Sequence, residues 1–502
     1  MLLKQAIAFV DQHAAIIILL GPVVLLVLVA LHDIFQTRHT IKRNYPVVGF
    51  LRYFLEVIGP ELRQYLFHDE RSDRPLPRYL RTWVYAHSKQ QLATVAFGTK
   101  KDLDKPGTML MRHSHFPVNP KNGEADKDHK VLIGAKRRYP YEASMFNISG
   151  MSYGALGKNA VKALGNGAKL AECFINTGEG GVSKYHYKSG ADLVVQIGTA
   201  KFGMRDSEGD FDESKFLELA RNAQVKMFEV KISQGAKPGK GGVLPKEKIT
   251  PEIAKARGLE QVDKDVISPP RHKEWEDEEG MLRWIEQLQN KGGKPVGLKF
   301  CLGRKGFMRR LIDAINKTGV MPDFLAVDGA EGATGAAPQA HTDYLGYPLK
   351  DALMYVDNML REAGMREEIK IIASGKIITG ADLAIMVALG ADLCQGARGF
   401  MLSIGCIHAL KCNTNHCPAG IATHNPWLER GLVMHEKVPR VANYHHAVIH
   451  EFNGVMHACG KTSPQEFKRS DVMKVVDFHK IVTMNELVPQ PPLKACHQGG
   501  EG

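Results

Sequence analysis

The sequence has no zinc-finger spacing, no RNA-binding signature and no long block of lysine or arginine. Its 66 basic residues nevertheless outnumber the 54 acidic ones, for a net charge of +12. Nucleic acid is therefore the weakest explanation of that excess, and an anionic membrane surface or an acidic partner fits better. No GxGxxG opens a helix after a strand in the middle of the chain, which counts against a dinucleotide-binding Rossmann unit. Cysteine is scarce, with 8 in 502 residues, too few for the disulfide framework of a small secreted domain. An apolar share of 44% beside a charged share of 24% excludes a disordered or fibrous chain. What is plentiful is glycine. The 49 glycines cluster in short runs, the pattern of tight turns or phosphate-cradling loops rather than of a flexible linker. The length suits two or three ordinary domains, or one large barrel with additions.

Charge is also missing from Ala14 to Leu31, AAIIILLGPVVLLVLVAL, about the shortest run that spans a bilayer. A cleaved signal peptide is the rival reading, but the leading segment is weakly basic (Lys4, then Asp11) and no small-x-small cleavage site follows. Instead Arg38, Lys42 and Arg43 follow. The positive-inside rule puts that end in the cytoplasm, predicting a single-pass inner-membrane anchor over about 14–34 with the rest of the chain inside. Tyr45 to Leu66 mixes apolar and charged residues, as an interfacial amphipathic segment does; a helix packed on the main domain fits equally.

From about residue 146, short apolar runs ending in Gly or polar loops recur: FNISGM, CFINTG, LVVQIG, FEVKIS, DVISPP, VGLKF, FLAVDG, IIASG and DLCQGA. Helical patterning separates them, as over Lys158 to Ala171, Arg309 to Thr318 and Gly380 to Leu389. Alternating strands and helices make a parallel sheet, either a (β/α)8 barrel or an open doubly wound one. A barrel is favoured because nearly every run ends in a polar cluster, and all strand C-termini of a barrel share one mouth. Nine candidates exceed the eight strands of such a barrel, and LVVQIG, which leads into a polar excursion, is the expected outsider. Ser374-Gly375-Lys376 and Gly396-Ala397-Arg398-Gly399 follow the last two runs, where such barrels bind phosphate. Each alone could be a plain turn; together they point to a flavin mononucleotide or a sugar phosphate.

Cys406, Cys412 and Cys417 stand at C-x5-C-x4-C, followed by Pro418. Three thiolates suit an iron–sulfur cluster lacking one corner iron; zinc with His408 or His416 as fourth ligand, or plain structural thiols, remain open. Cys173, Cys301, Cys394, Cys459 and Cys496 are scattered and read as small buried hydrophobes.

The stretch from about Asn147 to Trp427 resembles the FMN-binding synthase domain of glutamate synthases. The resemblance rests on ISGMSYGALG (148–157), NTGEGG (177–182), QGAKPGKGG (234–242), ISPPRH (267–272), GATGAAP (332–338) and CNTNHCPAGIATH (412–424). It implies a TIM-type (β/α)8 barrel over 86–430, after an anchor and linker over 1–85 and before an extension over 431–502. It also implies FMN beside a [3Fe–4S] cluster held by Cys406, Cys412 and Cys417. Carried over residue by residue, Met151, Ser152 and Gly154 would lie against the flavin ring. Lys299 would face its N1–C2 edge, and Gly375, Lys376, Gly396 and Arg398 would cradle the phosphate. Glu179, Lys237 and Arg257 match the 2-oxoglutarate site, where two fixed cations suit a short diacid.

Two departures matter. The family's glutamine after the glycine run is Val243 here, and a lost amide donor weakens binding by roughly 1–3 kcal/mol. The chain starts MLLKQAIAFV, not with the free N-terminal cysteine of the family's glutamine amidotransferase domain. Nitrogen is therefore expected from free ammonia, another amine or a separate amidotransferase subunit, and electrons from a ferredoxin or an NAD(P)H reductase. The expected activity is reduction of an imino acid derived from 2-oxoglutarate. An amine- or hydroxy-acid oxidoreductase feeding the membrane pool is the alternative, and a non-catalytic redox sensor or scaffold fits less well.

Overall fold

Eight parallel strands close on themselves in the computed structural model, which describes residues 13–91, 94–121, 123–259 and 263–494. In chain order they are β1 (Phe146–Ile148), β2 (Ile175–Asn176), β3 (Leu193–Ile197), β4 (Val225–Lys231), β5 (Val296–Phe300), β6 (Phe324–Asp328), β7 (Lys370–Ser374) and β8 (Leu393–Gly396). Each pairs with the next, and β8 returns to β1 with Gln395 opposite Asn147. This is the (β/α)8 barrel expected. Its strands are buried on both faces, by helices outside and by their own side chains inside, so they read as continuous apolar runs. Helices such as Lys158–Leu170, Gly306–Thr318 and Gly380–Leu389 fall where the patterning puts them.

The outsider is not the one expected. LVVQIG is β3, paired on both sides. The extra run is Val266–Ile267, which forms a two-stranded antiparallel ribbon with Val243–Leu244. β3 misleads because no helix starts after it until Glu213; a long irregular loop at the mouth is tolerated where a broken strand would not be.

The barrel interior has two layers. Toward the N-terminal ends of the strands, Phe174, Val194, Met227, Phe324, Ala326, Ile372 and Leu393 form an apolar core. The hairpin Val131–Ile133/Tyr141–Ala143 adds Ile133, Tyr141 and Ala143 to it. Two residues farther along, on the same inward face, come Asn176, Gln196, Glu229, Asp328, Ser374 and Gln395, all buried.

Residues 79–502 form one compact unit and 1–78 another. In the larger unit, helix Met434–Ala458 packs along helices Lys158–Leu170 and Gly380–Leu389. Beyond it, Val472–Asp477 pairs antiparallel with Met109–Met111, Met111 lying opposite Val472. In the smaller unit, helix Ala14–Phe35 is long and apolar enough to cross a membrane by length and composition. Pro22 lies inside it. Helix Gly49–Leu62 then leads into a π-helical turn, Arg63–Phe67, and leaves Phe50, Leu51, Phe54, Leu55 and Val57 exposed. Lys4, Asp11 and Cys496 lie outside the described residues.

Candidate active site

Two adjoining cavities open at the C-terminal mouth of the barrel and share Gly150, Gln196, Lys231, Gln234, Ala333 and Ala397. The first, of about 540 Å3, is lined by Lys299, Gly375, Lys376, Gly396 and Arg398. The second, of about 1050 Å3, is lined by Met151, Ser152, Glu179, Lys237, Val243, Arg257 and Cys412. Gly154 and the other two cysteines of the C-x5-C-x4-C segment line neither. The residues named for the phosphate, and Lys299, thus line the first cavity and those named for the oxo-acid line the second, while Met151 and Ser152, named for the flavin ring, line the second as well.

In the first cavity the turn after β7 carries two successive left-handed residues, Gly375 at φ 138° and Lys376 at φ 49°. Positive φ at two successive residues turns the backbone sharply at the cavity wall, which glycine at the first of them permits. Gly396 has no room for a side chain: a Cβ there would stand 2.9 Å from the Phe146 ring. Arg398 is drawn across the mouth by a hydrogen bond from its guanidinium to the Glu331 carbonyl oxygen. Burial pulls its pKa down, against Asp328 and Glu331. Lys299, on β5, lies 3.9 Å from Asp328. Burial also pulls on its ammonium, but Asp328, Glu229 and Glu179 outweigh that and hold its pKa above the usual value. It is a cation at any physiological pH.

The second cavity is built around a buried carboxylate. Desolvation raises the pKa of Glu179, yet Lys231 at 2.9 Å, with Lys237 and Arg257 behind it, brings the balance below the usual carboxylate range. Gly242 lets the loop close on this group, since a Cβ there would come within 2.3 Å of a Glu179 oxygen. Lys237 and Arg257 are each 4% exposed. Burial lowers the pKa of Lys237 and takes that of Arg257 to about 10, with Glu179 opposing in both cases. Among the described residues Arg257 donates only a long 3.4 Å hydrogen bond, to the Tyr153 carbonyl, and its Nε has no partner. Buried cations with so little hydrogen bonding are costly unless an anion joins them.

At the cavity edge the 406–417 segment approaches the barrel. Lys248, 2% exposed, donates to the carbonyl oxygens of Ala155 at 2.7 Å and Cys412 at 3.1 Å. Burial lowers its pKa to about 8, against the pull of Cys412 and Cys417. Burial takes the Cys406 thiol up to about 11, and Cys412 and Cys417 are near enough to add to the rise. The amide of His408 lies 3.5 Å from the Cys406 sulfur as a donor. Among the described residues no three His, Cys, Asp or Glu side chains form a site for a single metal ion.

Several mouth residues were not singled out from the sequence. Lys231 holds Glu179; its carbonyl accepts a 2.9 Å hydrogen bond from the His272 Nε2–H. Gln196 donates to Glu229 at 2.6 Å. Asp328 accepts from the Gly235 amide at 2.7 Å. Their common signal is a polar residue inside an otherwise apolar run: FEVKIS, VVQIG, AVDG, DLCQG. Lys248 had no such signal.

The conserved region in glutamate synthase matches residues 85–462. The chain belongs to the glutamate synthase family. It is a glutamate synthase-like oxidoreductase. Among curated relatives, the glutamate synthase large subunit-like protein YerD of Bacillus subtilis is 38% identical over 507 residues, covering 93% of this chain and 96% of that one. The archaeal glutamate synthase [NADPH] of Methanocaldococcus jannaschii is 34% identical over 64% of this chain and 60% of its own length. Among solved structures, a putative lactate oxidase of Pediococcus acidilactici aligns with 71% of this chain and 83% of its own at 16% identity, with a TM-score of 0.44. Glutamate synthase family membership accounts for the order in which the mouth motifs follow one another along the chain.

Proposed function

We propose that this glutamate synthase-like protein is a membrane-anchored, FMN- and iron–sulfur-dependent enzyme that reduces an imino acid derived from 2-oxoglutarate to an amino acid. The observation that carries the reading is the pair of buried cations, Lys237 and Arg257, the second with its Nε unpartnered among the described residues, beside Glu179 in a cavity that adjoins the one Lys299 lines.

The first cavity fits FMN. Its double left-handed turn at Gly375-Lys376 and the crowded Gly396 suit a phosphate, with Arg398 as counter-charge. Lys299 and the Met151-Ser152 loop would flank the ring. Bound there, the flavin supplies hydride transfer. The chain's own residues do the rest. Lys237 and Arg257 bind and orient the two carboxylates of the oxo-acid. Lys299 stabilises negative charge beside it. Glu179, kept ionised by Lys231, sets a negative charge near the Lys237 ammonium. Gly154 supports from behind, its Cα facing the Arg257 guanidinium. The buried thiol of Cys417 and the half-buried thiols of Cys406 and Cys412, near one another and next to a buried ammonium, suit a [3Fe–4S] cluster, which supplies one-electron transfer.

Nitrogen arrives as ammonia or from a separate amidotransferase subunit, and electrons from a ferredoxin or an NAD(P)H reductase. Helix Ala14–Phe35 anchors the chain in the inner membrane with the barrel in the cytoplasm, and the exposed apolar face of Gly49–Leu62 rests on lipid. Val243 in the cavity wall favours a second reading, an amine- or hydroxy-acid oxidoreductase that passes electrons to the membrane pool.

Purified full-length protein supplied with a reductant, 2-oxoglutarate and ammonia or glutamine tests the two. Reductant consumption that requires both the oxo-acid and the nitrogen source is the expected result. Release of no flavin on denaturation, or reduction of an artificial acceptor by amines or hydroxy acids alone, overturns it.

A further inference from the structure

Gln395 stands apart from every other amide at the barrel mouth. It is wholly buried, yet among the described residues both its Nε2 and its Oε1 lack a hydrogen-bond partner. The neighbouring inward amides are all engaged. Asn147 donates to the Ser144 carbonyl at 2.6 Å and accepts from the Phe174 amide at 3.1 Å. Asn176 and Gln196 both donate to Glu229, at 2.8 and 2.6 Å. A carboxamide has two N–H donors and a carbonyl acceptor, and leaving all of them unmet in a dry interior is rare enough to need a reason.

Its position supplies one. Leu393 belongs to the apolar interior core, so alternation along β8 turns Gln395 inward as well, and it lines the first cavity. In register it lies level with Ser374 on β7 and Asn147 on β1. Directly after it comes the Gly396–Arg398 turn on the anion side; across the barrel stands Lys299 on the ring side. Gln395 therefore sits between the place for a phosphate and the place for a flat heterocycle. In FMN those two are joined by a ribityl chain whose three hydroxyls each donate and accept hydrogen bonds.

We propose that Gln395 is the residue that binds the ribityl hydroxyls of the flavin, its N–H and C=O groups exchanging hydrogen bonds with that chain. The proposal rests on the FMN reading above. It assigns to β8 a recognition role separate from the phosphate turn that follows it. A ligand with a phosphate but no polyol at this depth would leave the amide unmet, so Gln395 selects for the linker rather than for either end.

The test is equilibrium binding of FMN, riboflavin and lumiflavin, which lacks the ribityl chain, to the full chain and to its Gln395→Leu and Gln395→Met variants, read by quenching of flavin fluorescence. Both variants should lose at least about tenfold in affinity for FMN and riboflavin, as expected for hydroxyls left without a partner. Lumiflavin should bind all three proteins equally, which also reports that the variants are folded. FMN affinity unchanged in the variants, or lumiflavin weakened as much as FMN, overturns the assignment. Failure of the FMN reading is distinct: the unsubstituted chain then binds none of the three.

Discussion

The two layers of the barrel interior are built along the same strands, two residues apart, and differ in almost everything else. The lower layer, Phe174 to Leu393, is apolar, close-packed and backed by the hairpin at 131–143. The upper layer holds Glu229, Lys231, Lys299, Asp328 and Gln395, with the unmet hydrogen bonds of Gln395 and Arg257 near it. One layer keeps the barrel closed. The other gathers buried charges and, among the described residues, leaves the Gln395 amide and the Arg257 Nε without partners, the arrangement expected where catalysis needs preorganised charge.

Four changes break or sharpen this contrast. The largest is in the lower layer. Phe324→Ala should cost about 3–5 kcal/mol of unfolding free energy, measured by denaturant titration. Next is the upper layer: Lys237→Met should leave the unfolding midpoint unchanged or higher, because a desolvated ammonium is removed. The same variant should lose roughly 2–5 kcal/mol of transition-state binding to the diacid, seen as lower kcat/KM.

The third change is acid. Burial takes the His424 pKa from 6.5 to about 4, while its Nε2–H donates to the Gly154 carbonyl at 2.8 Å. A folded-state pKa below the unfolded one means the unfolded chain binds the proton first. The stability this neutral imidazole contributes is complete above about 6.5 and drains away as pH falls toward 4. The apolar lower layer has no such group. Flavin release should therefore precede loss of far-UV dichroism as pH is lowered from 6.5 to 4, and His424→Gln should bring the two transitions together. The smallest effect is Val243→Gln, which restores an amide to the cavity wall and should tighten 2-oxoglutarate by roughly 1–3 kcal/mol, read as a lower KM.

The same contrast explains what the sequence made legible. Strands buried on both faces are unbroken apolar runs, so seven of the eight barrel strands stood out, and the mouth loops stood out through their glycines. β3 reads as an outsider because of the long loop that follows it, although its own run is as apolar as the others. The amides and charges of the upper layer were hidden for another reason. Lys231 and Gln395 sit inside apolar runs, and which alternate residues face inward is settled only when the barrel closes. Glu179, Lys237 and Arg257 are named by the family resemblance, although the cluster they form at the mouth joins segments far apart in the chain. Lys231, the fourth member, carries no motif of its own.

The pairing of Met109–Met111 with Val472–Asp477 sets an order in time. A ribosome must make more than 360 further residues after Met111 before the strand that covers its edge emerges. All eight barrel strands, β1 to β8, are out by then, so the barrel can close while this outer clasp stays open. This seam joins segments from the two sides of the barrel sequence, and a chain that stops short of residue 472 leaves a bare strand edge free to pair with a neighbour's.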